Sequence, residues 1–431
     1  MSLTLHQAAR AAIVGKLTDS LPKIIVRNGC FLDSLTVFFA AYEAEQSLPK
    51  NGLIHDSLVK YVDENPLIDF IKEYLQLRLI DGYDYESDPE SKAITDIKEF
   101  SNATELAESL VARFTSLPWE YTVSLELPPG IVPAELFAEG AIAIGEDERI
   151  NVPDLLFAQD YPLDHPNEKR KARALGGGLL GWAGLAVRES KWETDRPYLM
   201  QNERGIIGIY GGGSPMERCA FNVESFLGLG LSTRLLTYKL DFKNPDRKLR
   251  WTVHEKDGDK WQLLTRFDFD EEANQVVRHI RSFQFADSYA EEKRLPWLRQ
   301  ALEQIRKIVM SEENDVIRLA AKWYFDSHRG KDSTLRYIRL MTTLEILLGE
   351  HLDRSKVSLG DLLGNRLAYL IGENHKQRSE IIRNFKKIYS VRSSILHHGK
   401  HKLKLGELQH IRELDEYCRR AIEKEVSLHL R

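Results

Sequence analysis

Residues Tyr389 to Lys400 read YSVRSSILHHGK. Around them the apolar residues Phe385, Ile388, Tyr389, Ile395 and Leu396 recur at three- and four-residue intervals, the signature of a helix with one buried stripe. At about 100° per residue, Arg392 falls about 20° from the centre of that stripe. A guanidinium has no neutral form to retreat to, so on an apolar face it requires an acid, an anion or a solvated cleft. His397 and His398 follow, and Gly399 stands where a helix takes a left-handed C-cap. The pattern predicts a helix that ends at Gly399 with both imidazoles in its last turn.

This helix is one of six expected in the C-terminal part. WLRQALEQIRKIVM (297–310), NDVIRLAAKWYFDSH (314–328), LRYIRLMTTLEILLGEHL (335–352), LGDLLGNRLAYLIG (359–372), SEIIRNFKKIYSVRSSILHH (379–398) and ELQHIRELDEYCRRAIEKEVSLHL (407–430) are each periodic. Short polar connections separate them, so residues 291–431 are expected to form an antiparallel bundle. Residues 1–96 read as helical in DSLTVFFAAYEAEQ and LIDFIKEYLQLRLI, closing on an acidic linker or loop, DGYDYESDPESKAITD (81–96). Residues 97–290 change to short alternating runs divided by Gly, Pro and Asp. The clearest is LRWTVHEKDGDKWQLLTRFDF (249–269), two strands joined through Asp257-Gly258. The glycine clusters at 176–184 and 205–215 fit neither GxxxxGK[ST] nor GxGxxG, and are read as tight turns or bulges. The fold class is therefore α+β and multidomain: a helical N-terminal region, a β-rich middle and a C-terminal helical bundle.

A hydrophobic share of 42% and a charged share of 29% exclude wholesale disorder. Cys30, Cys219 and Cys418 lie far apart, without zinc spacing or an even count, which points to a reducing cytoplasm. The first residues do not read as a signal peptide, and Ala174 to Val187 is too short and glycine-rich to span a bilayer. The expectation is a cytoplasmic protein with no membrane contact. The net charge of -5 hides an asymmetry: 25 Lys and Arg stand against 18 Asp and Glu from Ala301 onward, but 35 against 47 before it. Lys376 to Lys404 carries nine basic residues and a single acid, Glu380. A basic tail of this kind points to a polyanionic partner, with Lys386, Lys387, Lys400 and Lys402 as candidate RNA contacts.

Imidazole titrates near pH ~6.5 and can act as base or acid, while arginine holds phosphate through two parallel hydrogen bonds. Together they suit phosphoryl chemistry on RNA without metal or other cofactor. A histidine takes the proton from a 2′-OH that attacks its own phosphodiester, and Arg392 stabilises charge on the phosphorus oxygens. One helix supplies few groups for that task, so a two-fold dimer doubling the set is expected. The residues leave other roles open. Arg392 also fits a structural ion pair, His397 and His398 fit helix capping, and His397, His398 and His401 could group around a metal.

The arginine, four intervening residues and histidine at the end of a bundle helix resemble the HEPN domain, whose ribonucleases carry an Arg-x4-6-His motif. LRYIRLMTTLEILLG, GNRLAYLIG and YSVRSSILHHG look like the ApeA-like branch of that family. The resemblance covers roughly residues 300 to 430 and none of the front part. It implies prokaryotic defence against phage, or a toxin, and assigns the family's arginine to Arg392 and its histidine to His397 or His398. Ser393 stands where the family often has Asn, Asp or His. Glu345 matches a glutamate common in the branch and is expected to orient the arginine or histidine. Two functions follow as expectations: a dimeric HEPN endoribonuclease, or a catalytically silent HEPN bundle that binds RNA or dimerises. In the first, residues 1 to about 290 form a sensing module for a regulatory ligand or protein.

Overall fold

A computed structural model of the chain describes residues 3–62, 64–82, 91–128, 131, 156–158, 198–208, 211–239, 248–258, 260–282, 291–349 and 358–430. Among them lie thirteen α-helices and small antiparallel sheets, an α+β architecture.

The N-terminal region is helical as its periodicity predicts, with α1 (Gln7–Ser20), α2 (Ser34–Glu45), α3 (Leu53–Tyr61) and α4 (Pro66–Gly82). It also holds a small sheet that the sequence reading lacked, β1 (Ile25–Arg27), β2 (Phe31–Leu32) and β3 (Lys92–Ala93), in the order β2-β1-β3. Strands this short cannot display the alternation by which strands are recognised. The far end of the expected 81–96 linker is thereby tied down, with Ala93 opposite Ile25; residues 83–90 lie outside the described residues.

At the end of α2, Glu45 accepts the Leu67 and Ile68 amides at 2.8 and 3.0 Å, in the first turn of α4. Burial outweighs those two bonds and pushes its carboxyl from 4.5 up to about 7. Between those pH values the folded chain holds a proton that the unfolded chain has released, so stability falls as pH rises through that window. Glu45→Gln, which keeps an acceptor for both amides, is expected to remove this slope. Urea titrations at about pH 5 and about pH 8 check it, the wild type losing up to roughly 3 kcal/mol more than the variant.

In the middle region, α5 (Ala103–Thr115) precedes β4 (Trp119–Glu126), β5 (Leu156–Ala158) and β6 (Tyr198–Gly205). β8 (Arg250–Asp257) and β9 (Lys260–Asp268) form the hairpin expected at Asp257-Gly258 and complete a five-stranded antiparallel sheet, β5-β6-β4-β8-β9. Not all of the region is strand. Ser214–Ser232 forms the nineteen-residue helix α6, buried along nearly all its length. Its glycines and serines resemble breakers in sequence, yet here they allow close packing. A Cβ on Gly228 would lie 1.9 Å from the Ala321 carbonyl oxygen. Within the 205–215 cluster the Gly208 amide donates to the Gly212 carbonyl and the Gly211 amide to the Gly208 carbonyl just before α6, and Glu73 Oε2 occupies the space where Gly208 lacks a side chain; residues 209 and 210 lie outside the described residues. The 176–184 cluster lies outside the described residues. β7 (Leu236–Tyr238), α7 (Glu271–Val277) and β10 (Ile280–Ser282) follow, β7 pairing with β10.

The C-terminal part contains the six expected helices: α8 (Glu291–Met310), α9 (Asp315–Asp326), α10 (Ser333–Leu348), α11 (Leu359–Ile371), α12 (His375–His398) and α13 (Leu405–His429). Their buried stripes join one hydrophobic cluster that runs on through the other two regions. Polar side chains close the helix ends within it. Arg366 donates to the Leu348 carbonyl at 2.7 Å and Arg420 to the Ile371 carbonyl at 2.6 Å, satisfying C-terminal acceptors that have no partner inside their own helices. The buried Tyr337 hydroxyl donates to the Ile388 carbonyl at 2.8 Å, fastening α10 to α12. Tyr337→Phe is expected to cost about 1 kcal/mol in chemical denaturation, with no change in helix content.

α6 and α9 also share charge. Glu224 of α6 meets Lys322 at 3.1 Å and pairs with Arg329, which in turn holds Asp326 at 2.7 Å. The middle and C-terminal regions are therefore joined by a packed seam with a buried ionic network.

Candidate active site at the end of α12

α12 starts at Asn374, whose side chain caps the Gln377 amide, and buries Ile381, Phe385, Ile388 and Val391. α11 comes close because Gly364 and Gly360 leave room for the Phe385 and Tyr389 rings. The helix ends as its sequence predicts: Gly399 adopts φ 62° and ψ 29°, and its N–H donates to the Ser394 carbonyl.

Arg392 reaches across to α10. Its Nε lies 2.9 Å from Glu345 Oε1, and its Nη2 donates to Oε2 at 3.1 Å. The arginine side chain is 18% exposed and the glutamate 23%, so the pair borders solvent rather than lying in the core. Glu345 Oε1 takes that charge contact but accepts no directed hydrogen bond. On the other side the Tyr389 ring, read from sequence as core, has its centroid 5.6 Å from the guanidinium carbon, a cation–π contact. The guanidinium is thus oriented by an acid and an aromatic ring.

His397 and His398 are both exposed in the last turn, with no hydrogen-bond partner among the described residues. Helical geometry places them away from Arg392, by about 140° for His397 and about 120° on the other side for His398. They belong instead to the outer face. Arg383, Lys386, Lys387, His397 and His398 all lie within about 80° of Ser390, whereas Arg392 lies about 160° from it. A single helix end thus carries a clamped arginine on its inner side and two imidazoles on its outer side.

The four candidate RNA-contact lysines are placed unequally. Lys387 and Lys402 are exposed, and Lys386 is 78% exposed with Asp361 at 3.8 Å. Lys400 pairs with Glu407 of α13 and is half-buried. The signal for this was local, since Glu407 stands at the third position of α13 and also caps the Lys404 amide at 2.7 Å. Asp361, first-turn acid of α11 and partner of Lys386, was equally visible as the last residue of Ser-x-x-Asp from Ser358. Among the described residues no three or more His, Cys, Asp or Glu side chains group so as to hold a metal ion. No helix among them is long and apolar enough to cross a membrane. Comparison with protein-family models, curated proteins and solved structures found no match.

Chemically, the end of α12 offers a guanidinium paired with an acid, two exposed imidazoles, and the exposed cations Arg383, Lys386 and Lys387 on the same outer face as the imidazoles. These groups suit attack within a phosphodiester more than any chemistry that needs a thiolate or a carboxylate pair.

Proposed function

We propose that the chain is a metal-independent endoribonuclease of the HEPN type. The observation that carries this reading is the end of α12, which pairs an arginine oriented by Glu345 with two exposed imidazoles that have no hydrogen-bond partner among the described residues. His397 or His398 takes the 2′-OH proton, Arg392 stabilises the charge that builds on the phosphorus oxygens, and Glu345 positions Arg392. The wide angle between arginine and histidines supports a composite site in which one copy's arginine works with its partner's imidazole across a two-fold cleft. Residues 1 to about 290 act as the sensing or regulatory part, coupled to the bundle through the α6–α9 seam. The biological setting that fits is prokaryotic anti-phage defence or a toxin, in the cytoplasm.

The test is cleavage by purified protein in EDTA. RNA should be cut with 2′,3′-cyclic phosphate ends, and DNA of the same sequence, lacking the 2′-OH, should remain whole. Full cleavage by an Arg392→Ala, His397→Ala, His398→Ala variant would sink the proposal.

One observation favours a second reading, an RNA-binding bundle that does not cut: Glu345 neutralises Arg392 and draws it to the side of α12 away from the histidines. That reading predicts tight RNA binding with intact RNA at every enzyme concentration. Both readings share a binding prediction. Lys386→Glu with Lys387→Glu should weaken RNA affinity uniformly across sequences and reduce the salt dependence by about one unit of slope per lost phosphate contact.

A further inference from the structure

α2 lies far along the chain from α12 and carries a feature that the proposed nuclease leaves unused. Its inner side packs Val37, Ala40, Ala41 and Ala44 into the core. Its outer side is also apolar: Leu35 is 65% exposed, Phe38 38%, Phe39 67% and Tyr42 47%, with Phe31 of the adjoining edge strand at 43%. The rings already gather, Phe38 with its centroid 5.7 Å from Phe39 and 5.6 Å from Tyr42. At ~200 Å² per aromatic side chain these exposures amount to roughly 500 Å², near the upper end of the largest apolar patch on a typical monomer.

We infer that this stripe is a two-fold contact on which a second copy of the chain packs its own α2, antiparallel. The stripe is self-complementary in that arrangement. With the axis between Phe38 and Phe39, Leu35 of one copy faces Tyr42 of the other, and Phe38 faces Phe39. Parallel packing offers no such match.

The two stripes together bury roughly 1,000 Å², the lower edge of a specific interface, before the polar rim is added. The contact is separate from α12. If both two-folds operate, they build a closed tetramer or an open array rather than a simple dimer.

The register gives a decisive test on the full chain. In the antiparallel pairing, cysteines at 35 and 42 face each other across the interface. Two copies of position 35 lie about 10 Å apart along the helices, beyond disulfide reach. The three native cysteines are buried, so background is low. Under mild oxidant, the Leu35→Cys, Tyr42→Cys double variant should give a covalent dimer, and neither single variant should. Absence of that dimer, or equal cross-linking by a single variant, overturns the inference. Separately, sedimentation over two decades of concentration should show an association that Phe39→Asp removes, halving the limiting mass, with melting unchanged because Phe39 contributes mostly exposed surface. A limiting mass unchanged by Phe39→Asp overturns it as well.

Discussion

Arg392→Ala is expected to lower RNA cleavage by about 10²–10³-fold, the loss seen when one preorganised donor to a developing oxyanion is removed. Arg392 faces Glu345 in a fork-like contact 2.9 and 3.1 Å wide and borders the Tyr389 ring, so little reorganisation is needed when a phosphate arrives. Under the proposed function, single-turnover rates with saturating RNA read this directly, because the proposed lysine contacts are unchanged in the variant. Arg392→Lys separates charge from geometry. It keeps a cation near Glu345 but loses the planar fork, and at least a ten-fold loss is expected if bidentate contact is what matters. Arg392→Lys keeps the charge and should be tolerated, whereas Arg392→Ala leaves the mostly buried Glu345 carboxylate without its cation and is expected to cost about 1–3 kcal/mol, so rates are compared where each variant is fully folded. A parallel fall in melting midpoint and rate, with Arg392→Lys no better than Arg392→Ala, would assign Arg392 to the structural ion pair alone.

Gly228→Val is expected to be the most damaging single change away from that site. A Cβ there would sit 1.9 Å from the Ala321 carbonyl oxygen and 2.5 Å from the carbonyl carbon, both backbone atoms of α9 that no side-chain rotation can move. Overpacking in a dense core costs about 1–3 kcal/mol, and more where backbone must shift. For Gly228→Val a loss of about 3 kcal/mol or more is expected in urea unfolding, with Gly228→Ala intermediate. The seam also carries Glu224, Lys322, Asp326 and Arg329, so separating α6 from α9 strains an ionic network whose partners are nearly buried. Urea midpoints for Gly228→Val equal to wild type would show that α6 and α9 can part without loss.

The helices were legible where a stripe recurs over many turns. α12 and α13, with Gly399 and Glu407 marking their ends, follow from periodicity and capping alone. α6 was hidden because its glycines and serines look like turn residues in one dimension. Only the approach of Ala321 shows that Gly228 is small for packing. β3 was hidden because its pairing joins residue 25 to residue 93, a contact that leaves no local trace, and β1 and β2, though near in sequence, are too short to show alternation.

At the candidate site the residue types and their order were set by sequence: a permanent cation inside an apolar stripe, two imidazoles in the last turn, and a glycine to stop the helix. That Arg392 needed a partner also followed from its chemistry, since an ionised guanidinium on an apolar face is costly alone. Tertiary structure decided which partners the charges take. Glu345 is 47 positions away and meets Arg392 only because α10 packs beside α12. Lys400 takes Glu407, at the start of the next helix, as its ion-pair partner. α2 divides the same way. Its sequence shows apolar residues on both sides, and only the packed fold reveals that one side is filled by the core while Leu35, Phe38, Phe39 and Tyr42 are left facing water. Periodicity reports which residues share a face; what lies against that face is a long-range contact, and the chain acquires it only on folding.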